Sequence, residues 1–145
     1  MDVAVVDPAL FAGTVPPRLA GSRCPGCATV TFPSRGSCPC CPAGAMSAHT
    51  LPERGVVWSW TVQEFEPKPP YRRLGEEFVP YAVGYVDLGE VIVESRLDVP
   101  RERLRIGLPV RLTTIPAHLG EDGAEVHTFA FSADAFSADE DGEVR

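Results

Sequence analysis

The cysteines constrain this chain more than any other feature of its sequence. All five lie within one short segment, "CPGCATVTFPSRGSCPCC", which begins at Cys24 and ends at Cys41. The segment contains two C-x-x-C pairs, Cys24 with Cys27 and Cys38 with Cys41, and ten residues separate the pairs. Each pair turns two thiolates toward a common point, so that two pairs supply the four ligands of a tetrahedral metal site. We therefore predict that these four cysteines bind one metal ion.

A structural zinc ion, Zn²⁺, is the interpretation that we favour for this site. Four cysteine ligands leave no coordination position for water, so we expect the site to stabilise a fold and not to catalyse hydrolysis. So short a segment cannot bury enough apolar surface alone, and a metal ion replaces the missing core. Iron in a rubredoxin-like site and free thiols are the alternatives. A thioredoxin-like redox pair is disfavoured, because no βαβ pattern surrounds the cysteines.

The second cysteine pair is ambiguous, because "CPCC" offers three sulfur atoms. Pairing Cys38 with Cys41 repeats the form of the first pair, "CPGC", whereas pairing Cys38 with Cys40 leaves too tight a turn. We take Cys40 as the spare thiol. It is also the one candidate nucleophile for an independent esterase or thioesterase, which is the function class that we place last.

Composition favours a mainly β protein. The chain has 15 prolines and 13 glycines, which indicate many turns and few long helices. Its length of 145 residues fits one main core. No segment approaches the roughly 18 apolar residues that a membrane helix needs, and the N-terminus is acidic where a secretory signal is positively charged. We expect a cytoplasmic protein without membrane contact, in which reducing conditions disfavour disulfides.

From Gly55 onward the sequence predicts five strands. The segments are rich in β-branched and aromatic residues: "GVVWSWTVQEF", "PYAVGYVDLG", "EVIVESRL", "LPVRLTTIPA" and "EVHTFAFSA". In the first segment we expect Val56, Trp58, Trp60 and Val62 to share one apolar face, so that both tryptophans are buried in a core or an interface. Because a closed barrel leaves no exposed edge, a five-stranded OB-like barrel is the predicted fold.

The remaining segments complete the predicted organisation. Asp7 before Pro8 is typical of the start of a short helix, and Asp98 is the predicted cap of one helical turn in "DVPRERLRIG". Beyond Ala133 five acids and one arginine give a solvated tail with a charge of −4. The predicted divisions are an N-terminal segment with a short helix (1–20), a zinc ribbon (21–48), an OB-fold domain (49–133) and an acidic disordered tail (134–145).

The charge of the chain argues against nucleic-acid binding. The formal net charge is −7, and the part before the tail still carries −3, so no basic field attracts phosphate backbones. A single-stranded nucleic-acid binder stays as the alternative function, since zinc ribbons and OB folds both occur in such proteins. The three histidines, His49, His118 and His127, are too scattered for a metal triad, and we interpret them as ordinary residues.

Several motifs in one order resemble a known family. The cysteine segment is followed by "GVVWSWTV", "PYAVGYVDL" and "RLRIGLPVRL", and over residues 18–133 this arrangement resembles the domain of unknown function 35 (DUF35) family of acyl-CoA-associated OB-fold proteins. The resemblance implies a rubredoxin-like zinc ribbon followed by the barrel. The chain departs from the family in two ways: the long amphipathic helix that many members carry before the ribbon is shortened or absent, and Cys40 has no family role.

The resemblance implies the function of a partner subunit. Family members accompany thiolase-like enzymes that act on CoA thioesters, among them the lipid-transfer-protein-type thiolases and the steroid side-chain aldolases of lipid metabolism and steroid degradation. We therefore expect a non-catalytic subunit of a hetero-oligomer, which docks on a thiolase-like enzyme and helps form its acyl-CoA channel. The nucleophile and the acid and base residues would belong to the partner.

A loop with basic and aromatic residues is the candidate contact for the CoA thioester at the partner interface. The loop "FEPKPPYRRLGEEF" interrupts every strand pattern, and it carries the single lysine of the chain, Lys68, near Tyr71, Arg72 and Arg73. Arginine donates two parallel hydrogen bonds to phosphate, so we expect these four residues to contact the CoA phosphates or the partner. The alternative is a solvated loop whose charges pair with its own glutamates.

Overall fold

A computed structural model describes residues 4–42, 45–69, 71–72 and 74–133; the predicted acidic tail, 134–145, lies outside the described residues. Within the described ranges the chain forms nine strands and two short 3₁₀ helices. The strands are β1 (Phe11–Thr14), β2 (Pro17–Arg23), β3 (Val30–Thr31), β4 (Ser47–Thr50), β5 (Arg54–Gln63), β6 (Tyr81–Asp87), β7 (Ile92–Asp98), β8 (Pro109–Leu119) and β9 (Glu125–Ala133).

Strands β5 to β9 close into a barrel, which confirms the fold predicted from the sequence. The order around the barrel is β5-β6-β7-β9-β8, and all neighbours are antiparallel except β7 and β9, which are parallel. Alternate side chains point inward along the strands, except where the register shifts in β5 and β8. The largest fully buried side chains of the barrel are Val57, Val86, Val110 and Phe131.

The expectation of one continuous apolar face on β5 is wrong, because the strand contains a β-bulge. The register with β6 shifts between Val57 and Ser59, so that Trp58 is an extra residue on β5. Because of this extra residue, the side chains before the bulge face the opposite side of the sheet from the one that simple alternation with Trp60 predicts. As a result Val56 and Trp58 are 40% and 55% exposed, whereas Trp60 packs partly buried against the core.

A small second sheet precedes the barrel. Its central strand, β2, pairs antiparallel with β1, β3 and β4. Leu19 on β2 and Leu51 after β4 belong to the same buried cluster as the barrel core. Phe32 meets the ring of Phe129 on β9 edge to face, with the ring centres 5.6 Å apart. The sheet that leads into the cysteine segment therefore packs directly on the barrel.

Both 3₁₀ helices lie where the sequence predicts a helical turn, but only one is capped as predicted. Before the first, Pro8–Leu10, the side chain of Asp7 accepts a hydrogen bond from a backbone N–H at 3.0 Å. The second, Arg101–Arg103, follows Pro100 and has no side-chain cap among the described residues. Asp98 does not cap it, because that residue still belongs to β7. No helix in the described part of the chain has the length and hydropathy of a membrane span.

Candidate metal centre and barrel cleft

Strand β2 positions the first cysteine pair. Cys24 follows the last residue of β2 and is buried. Beyond it the chain turns tightly: the N–H of Ala28 donates to the carbonyl of Cys24 at 2.8 Å, and the N–H of Cys24 donates to the carbonyl of Thr29 at 2.9 Å. Ala28 adopts the left-handed conformation, with a φ of 67°. This turn brings Cys27 back beside Cys24.

The structure brings together the four cysteines that the sequence singled out. The Sγ atoms of Cys24 and Cys41 are 3.5 Å apart, those of Cys27 and Cys38 are 3.6 Å apart, and all four lie within 4.8 Å of one another. A tetrahedron with metal–sulfur bonds of about 2.3 Å has edges of about 3.8 Å. The four sulfur atoms therefore form a group that can hold one metal ion. Zinc as that ion stays a prediction.

The two cysteine pairs have the same local form. The N–H of Gly26 donates to the Sγ of Cys24 at 3.3 Å, and the N–H of Cys40 donates to the Sγ of Cys38 at 3.3 Å. In both turns the donor lies two residues after the first cysteine. Hydrogen bonds of this kind favour the thiolate, which is the form that binds a metal.

Hydrogen bonds lower the pKa of both thiols of the first pair. The hydroxyl of Thr29, 3.0 Å from the Sγ of Cys27, and the backbone N–H of Thr29 lower the pKa of Cys27 from 9.0 to about 6. The backbone N–H groups of Cys27 and Gly26 lower the pKa of Cys24, against an opposing effect of burial. The first pair is therefore prepared to bind a metal near neutral pH.

Cys40 does not belong to the sulfur cluster. It is exposed, and it contributes its backbone N–H to the site rather than its thiol. No disulfide joins any of the five cysteines, all of which lie in the described ranges. The interpretation of Cys40 as the spare thiol stays a prediction.

The basic loop between β5 and β6 folds onto the outside of the barrel. Tyr71, half-buried, stacks on Tyr81 at the start of β6, with ring centres 6.1 Å apart and planes at 18°. Phe78 meets the edges of both rings at 6.1 and 6.0 Å. Arg72 donates from its Nη2 to the carbonyl of Leu119 at 3.3 Å. Aromatic contacts and one hydrogen bond thus hold the loop against β6 and β8.

Two of the four loop residues that the sequence singled out, Tyr71 and Arg72, lie together at this surface. Lys68 is exposed, and its carbonyl accepts a hydrogen bond from the N–H of Tyr71 at 3.3 Å. Arg73 lies outside the described residues. Contact between these residues and CoA stays a prediction.

Arg96 is a candidate that sequence reasoning missed. It lies on the outward side of β7, half-buried, and its guanidinium carbon is 3.8 Å from the ring centre of Tyr81. Burial lowers the pKa of Arg96. The alternation in "EVIVESRL" is enough to place Arg96 on the outer face, but no sequence signal shows that residues of a remote loop line the same cavity.

The three histidines do not form a cluster with one another, and their interpretation as ordinary residues stays a prediction. The Nε2 of His49 is 2.6 Å from a carboxylate oxygen of Glu90, and the Nε2 of His127 is 3.3 Å from one of Glu125. His118 lies near the end of β8. Among the described residues, the cysteine group is the one cluster of histidine, cysteine and acidic side chains that can hold a metal.

Comparison with known proteins places this fold in a family. The family described as "ChsH2, C-terminal OB-fold domain" matches residues 48–114. A solved structure of an assembly described as "Ltp2-ChsH2(DUF35) aldolase" contains a chain that superposes with a TM-score of 0.57 at 25% sequence identity, over 78% of this chain and 84% of that one.

Two curated relatives are similar over most of their length, and both are named "DUF35 domain-containing scaffold protein". The one from Pyrococcus furiosus is 27% identical over 117 residues, which are 79% of this chain and 82% of that protein. The one from Methanocaldococcus jannaschii is 32% identical over 108 residues, which are 72% of each chain. With this extent of similarity and the barrel and cysteine group described above, the chain belongs to the DUF35 family.

Proposed function

We propose that this protein is a non-catalytic, zinc-binding subunit that docks on a thiolase-like enzyme, such as a lipid-transfer-protein-type thiolase or a steroid side-chain aldolase, and helps form its acyl-CoA channel. The observation that carries the proposal is the similarity to a chain of the Ltp2-ChsH2(DUF35) aldolase, which extends over 78% of this protein. The two relatives named as scaffold proteins support the same kind of role.

Zinc has a structural role in this proposal. Four thiolates at the observed separations fit a tetrahedral ion, and closed Cys₄ sites of this kind usually hold zinc. Cys24 continues directly from β2, and Leu19 on that strand is buried in the shared core. An ion bound to Cys24 therefore fixes the end of a strand that packs on the barrel.

We expect the partner to contact an apolar patch on the outside of the barrel, here called the outer apolar face. Trp58 and Tyr85 meet edge to face at its centre, with ring centres 6.1 Å apart and planes at 87°. Exposed patches rich in tryptophan and tyrosine are typical of protein interfaces. Four large side chains on β5, β6 and β7 form the face, each at least 40% exposed: Val56, Trp58, Tyr85 and Ile92.

Co-purification with a candidate partner tests the proposal. The tagged chain is co-expressed with candidate thiolase-like enzymes from the same organism, and any complex that is isolated is assayed with acyl-CoA thioesters. We expect a stable hetero-oligomer whose turnover requires both subunits. Failure of the two chains to associate, or turnover of a thioester by this chain alone, would contradict the proposal.

A charged substitution at Trp58 tests the docking surface. Because central interface tryptophans contribute strongly to binding, Trp58→Glu should weaken the affinity for the partner by about tenfold or more. Val15→Glu is the matched control, since Val15 is 63% exposed at the β1–β2 turn and away from this face. Both variants are checked for zinc content and folding. If Trp58→Glu assembles as well as the native chain, the partner does not dock on the outer apolar face.

The basic loop is the proposed contact with the CoA phosphates, through Lys68, Tyr71, Arg72 and Arg73. The position of Tyr71 and Arg72 side by side on the barrel surface supports this role. Exchanging Arg72 and Arg73 together for glutamate should weaken assembly or raise the partner's KM for acyl-CoA. Unchanged kinetics in a fully assembled complex would reject the contact.

Single-stranded nucleic-acid binding is the second candidate function. One observation favours it: Trp58 is exposed on a barrel face, where a base would stack on it. The net charge of −7 opposes it. Fluorescence anisotropy with a labelled oligonucleotide at low salt separates the two functions, because tight and salt-dependent binding would favour this one.

A further inference from the structure

Three adjoining cavities on the outside of the barrel meet at one arginine. Arg96 and Tyr81 line all three, and the volumes are about 500, 410 and 490 Å³. Each volume is within the range of small-molecule sites. The first cavity extends to the second 3₁₀ helix, the second lies under the loop before β6, and the third extends to β8 and β9.

Arg96 brings a charge into these cavities without a direct ion pair among the described residues. Among the described residues no acidic side chain lies at ion-pair distance from its guanidinium, whose near neighbour is the ring of Tyr81. Burial lowers the pKa of Arg96, while Tyr81, Tyr71 and, more weakly, Asp98 favour its charged form. Arginine keeps its proton when it is partly buried. Because a partly buried charge without a direct ion pair is unfavourable, an anion that reaches Arg96 is stabilised there.

The third cavity is the one whose lining is positive. Arg72 lines it together with Arg96, His118 adds an imidazole ring, and no carboxylate among the described residues lines it. Thr128 adds a hydroxyl, and Tyr71 adds an aromatic wall. The first and second cavities differ, since glutamate or aspartate side chains line both of them. The distribution of charge therefore selects the third cavity, here called the Arg96 cavity.

We propose that the Arg96 cavity binds a phosphate group of a phosphorylated small molecule, held between the guanidinium groups of Arg96 and Arg72. A phosphate fits better than a carboxylate, because two arginines match an anion that carries more than one negative charge. The volume of about 490 Å³ leaves room for a ligand larger than the phosphate itself. This site deepens the proposed function. Phosphate binding follows from the cavity itself, whereas the identity of the ligand as CoA rests on the proposed function.

The test is an NMR titration of the isolated, zinc-loaded chain labelled with ¹⁵N. The probes are inorganic phosphate, CoA, and pantetheine, which lacks the phosphates of CoA. We expect inorganic phosphate and CoA to shift the amide signals around Arg72, Arg96 and Thr128 in a saturable way, and pantetheine to leave them in place. A titration without saturable shifts at these residues, or equal shifts with pantetheine, would overturn the inference.

Matched arginine variants assign the binding to Arg96. Because a charge-assisted hydrogen bond is lost, Arg96→Gln should weaken CoA binding by about tenfold, whereas Arg103→Gln should not change it. Arg103 is exposed and lines none of the three cavities. If Arg96→Gln does not fold, Arg96→Lys decides, since it keeps the charge but loses the planar donor pair and should bind more weakly than the native chain. Native affinity in a folded Arg96 variant would overturn the inference.

The phosphate site and the proposed subunit role are tested by separate measurements. Binding of CoA is measured without a partner, and assembly with the thiolase-like enzyme is measured without a ligand. A chain that binds phosphate at Arg96 but joins no partner refutes the subunit role alone. If the complex forms but the isolated chain binds neither inorganic phosphate nor CoA, the Arg96 site alone is refuted.

Discussion

Among single residues, Thr29 has the clearest predicted effect on the metal site. Its hydroxyl and N–H lower the pKa of Cys27 to about 6. The resulting stabilisation of the thiolate is complete above the ordinary thiol pKa of 9.0 and is lost as pH falls through about 6. We therefore expect the apparent affinity for zinc to decrease as pH falls below about 6. Competition with a chromophoric chelator at a series of pH values measures it.

Two threonine variants isolate this effect. Thr29→Val removes the hydroxyl that faces Cys27, so zinc should begin to dissociate at a higher pH than in the native chain. Thr50→Val is the control, because Thr50 is an exposed residue on β4 away from the sulfur atoms. Identical pH profiles for the native chain and Thr29→Val would show that Thr29 does not set the charge of Cys27.

The role of the fifth cysteine is a second prediction for single residues. Cys40→Ser should keep one zinc per chain and full activity in the complex, because the thiol of Cys40 is not in the cluster. Cys41→Ser should lose most of its zinc, because one of four ligands is removed. Elemental analysis of both purified variants checks the outcome. Loss of metal from Cys40→Ser would assign the fourth ligand to Cys40 instead.

The cysteine group could be predicted because its signal is local, whereas the Arg96 cavity could not. Two C-x-x-C pairs define their own turns, and ten residues are enough to bring the pairs together. Arg96 on β7 shares its cavity with Tyr71 and Arg72, which belong to a separate loop before β6. A single sequence gives no information about which loop folds onto which strand, so that site appears only in the folded protein.

At the level of elements, the sequence predicts which segments are strands better than which way their side chains face. The five barrel strands have strong β-branched and aromatic patterns, and all five form. The bulge at Trp58 is defined only relative to β6, so the alternation of β5 by itself does not reveal it. The exposed tryptophan that results is the centre of the proposed docking face.

The close contact between β5 and β6 gives a prediction for stability. At Gly84 on β6 an added Cβ would clash with the carbonyl oxygen of Ser59 and with the side chain of Leu97. Gly84→Ala should therefore lower the free energy of unfolding by about 2 kcal/mol. Gly36→Ala is the matched control, since apart from its two chain neighbours no described residue has an atom within 4 Å of a Cβ there. Urea denaturation compares the two, and equal midpoints would mean that β5 adjusts without cost.

For the whole molecule, the sequence predicts the barrel more completely than it predicts the small sheet that precedes the barrel in the chain. The strands β1 and β4 are short, β2 is rich in polar and small residues, and no periodic pattern marks any of the three. They exist because Leu19 and Leu51 join the barrel core, which is a tertiary contact. The cysteine segment is thus one part of a continuous structure, joined to the barrel through β2.

This continuity predicts that the metal stabilises the entire protein. An ion that joins Cys24 to Cys41 closes a loop in the chain, as a disulfide between the same residues would. A disulfide across a loop of this length adds about 3 kcal/mol to the free energy of unfolding. For a chain of this size, a loss of about 3 kcal/mol lowers Tm by about 10 °C. Calorimetry before and after treatment with a chelator should show this decrease in Tm, and added zinc should restore it. The variant Cys27→Ser should have the Tm of the chelated protein, because Cys27 is exposed and contributes little to the core. An unchanged Tm after complete removal of the metal would show that the β2 sheet packs on the barrel without help from the ion.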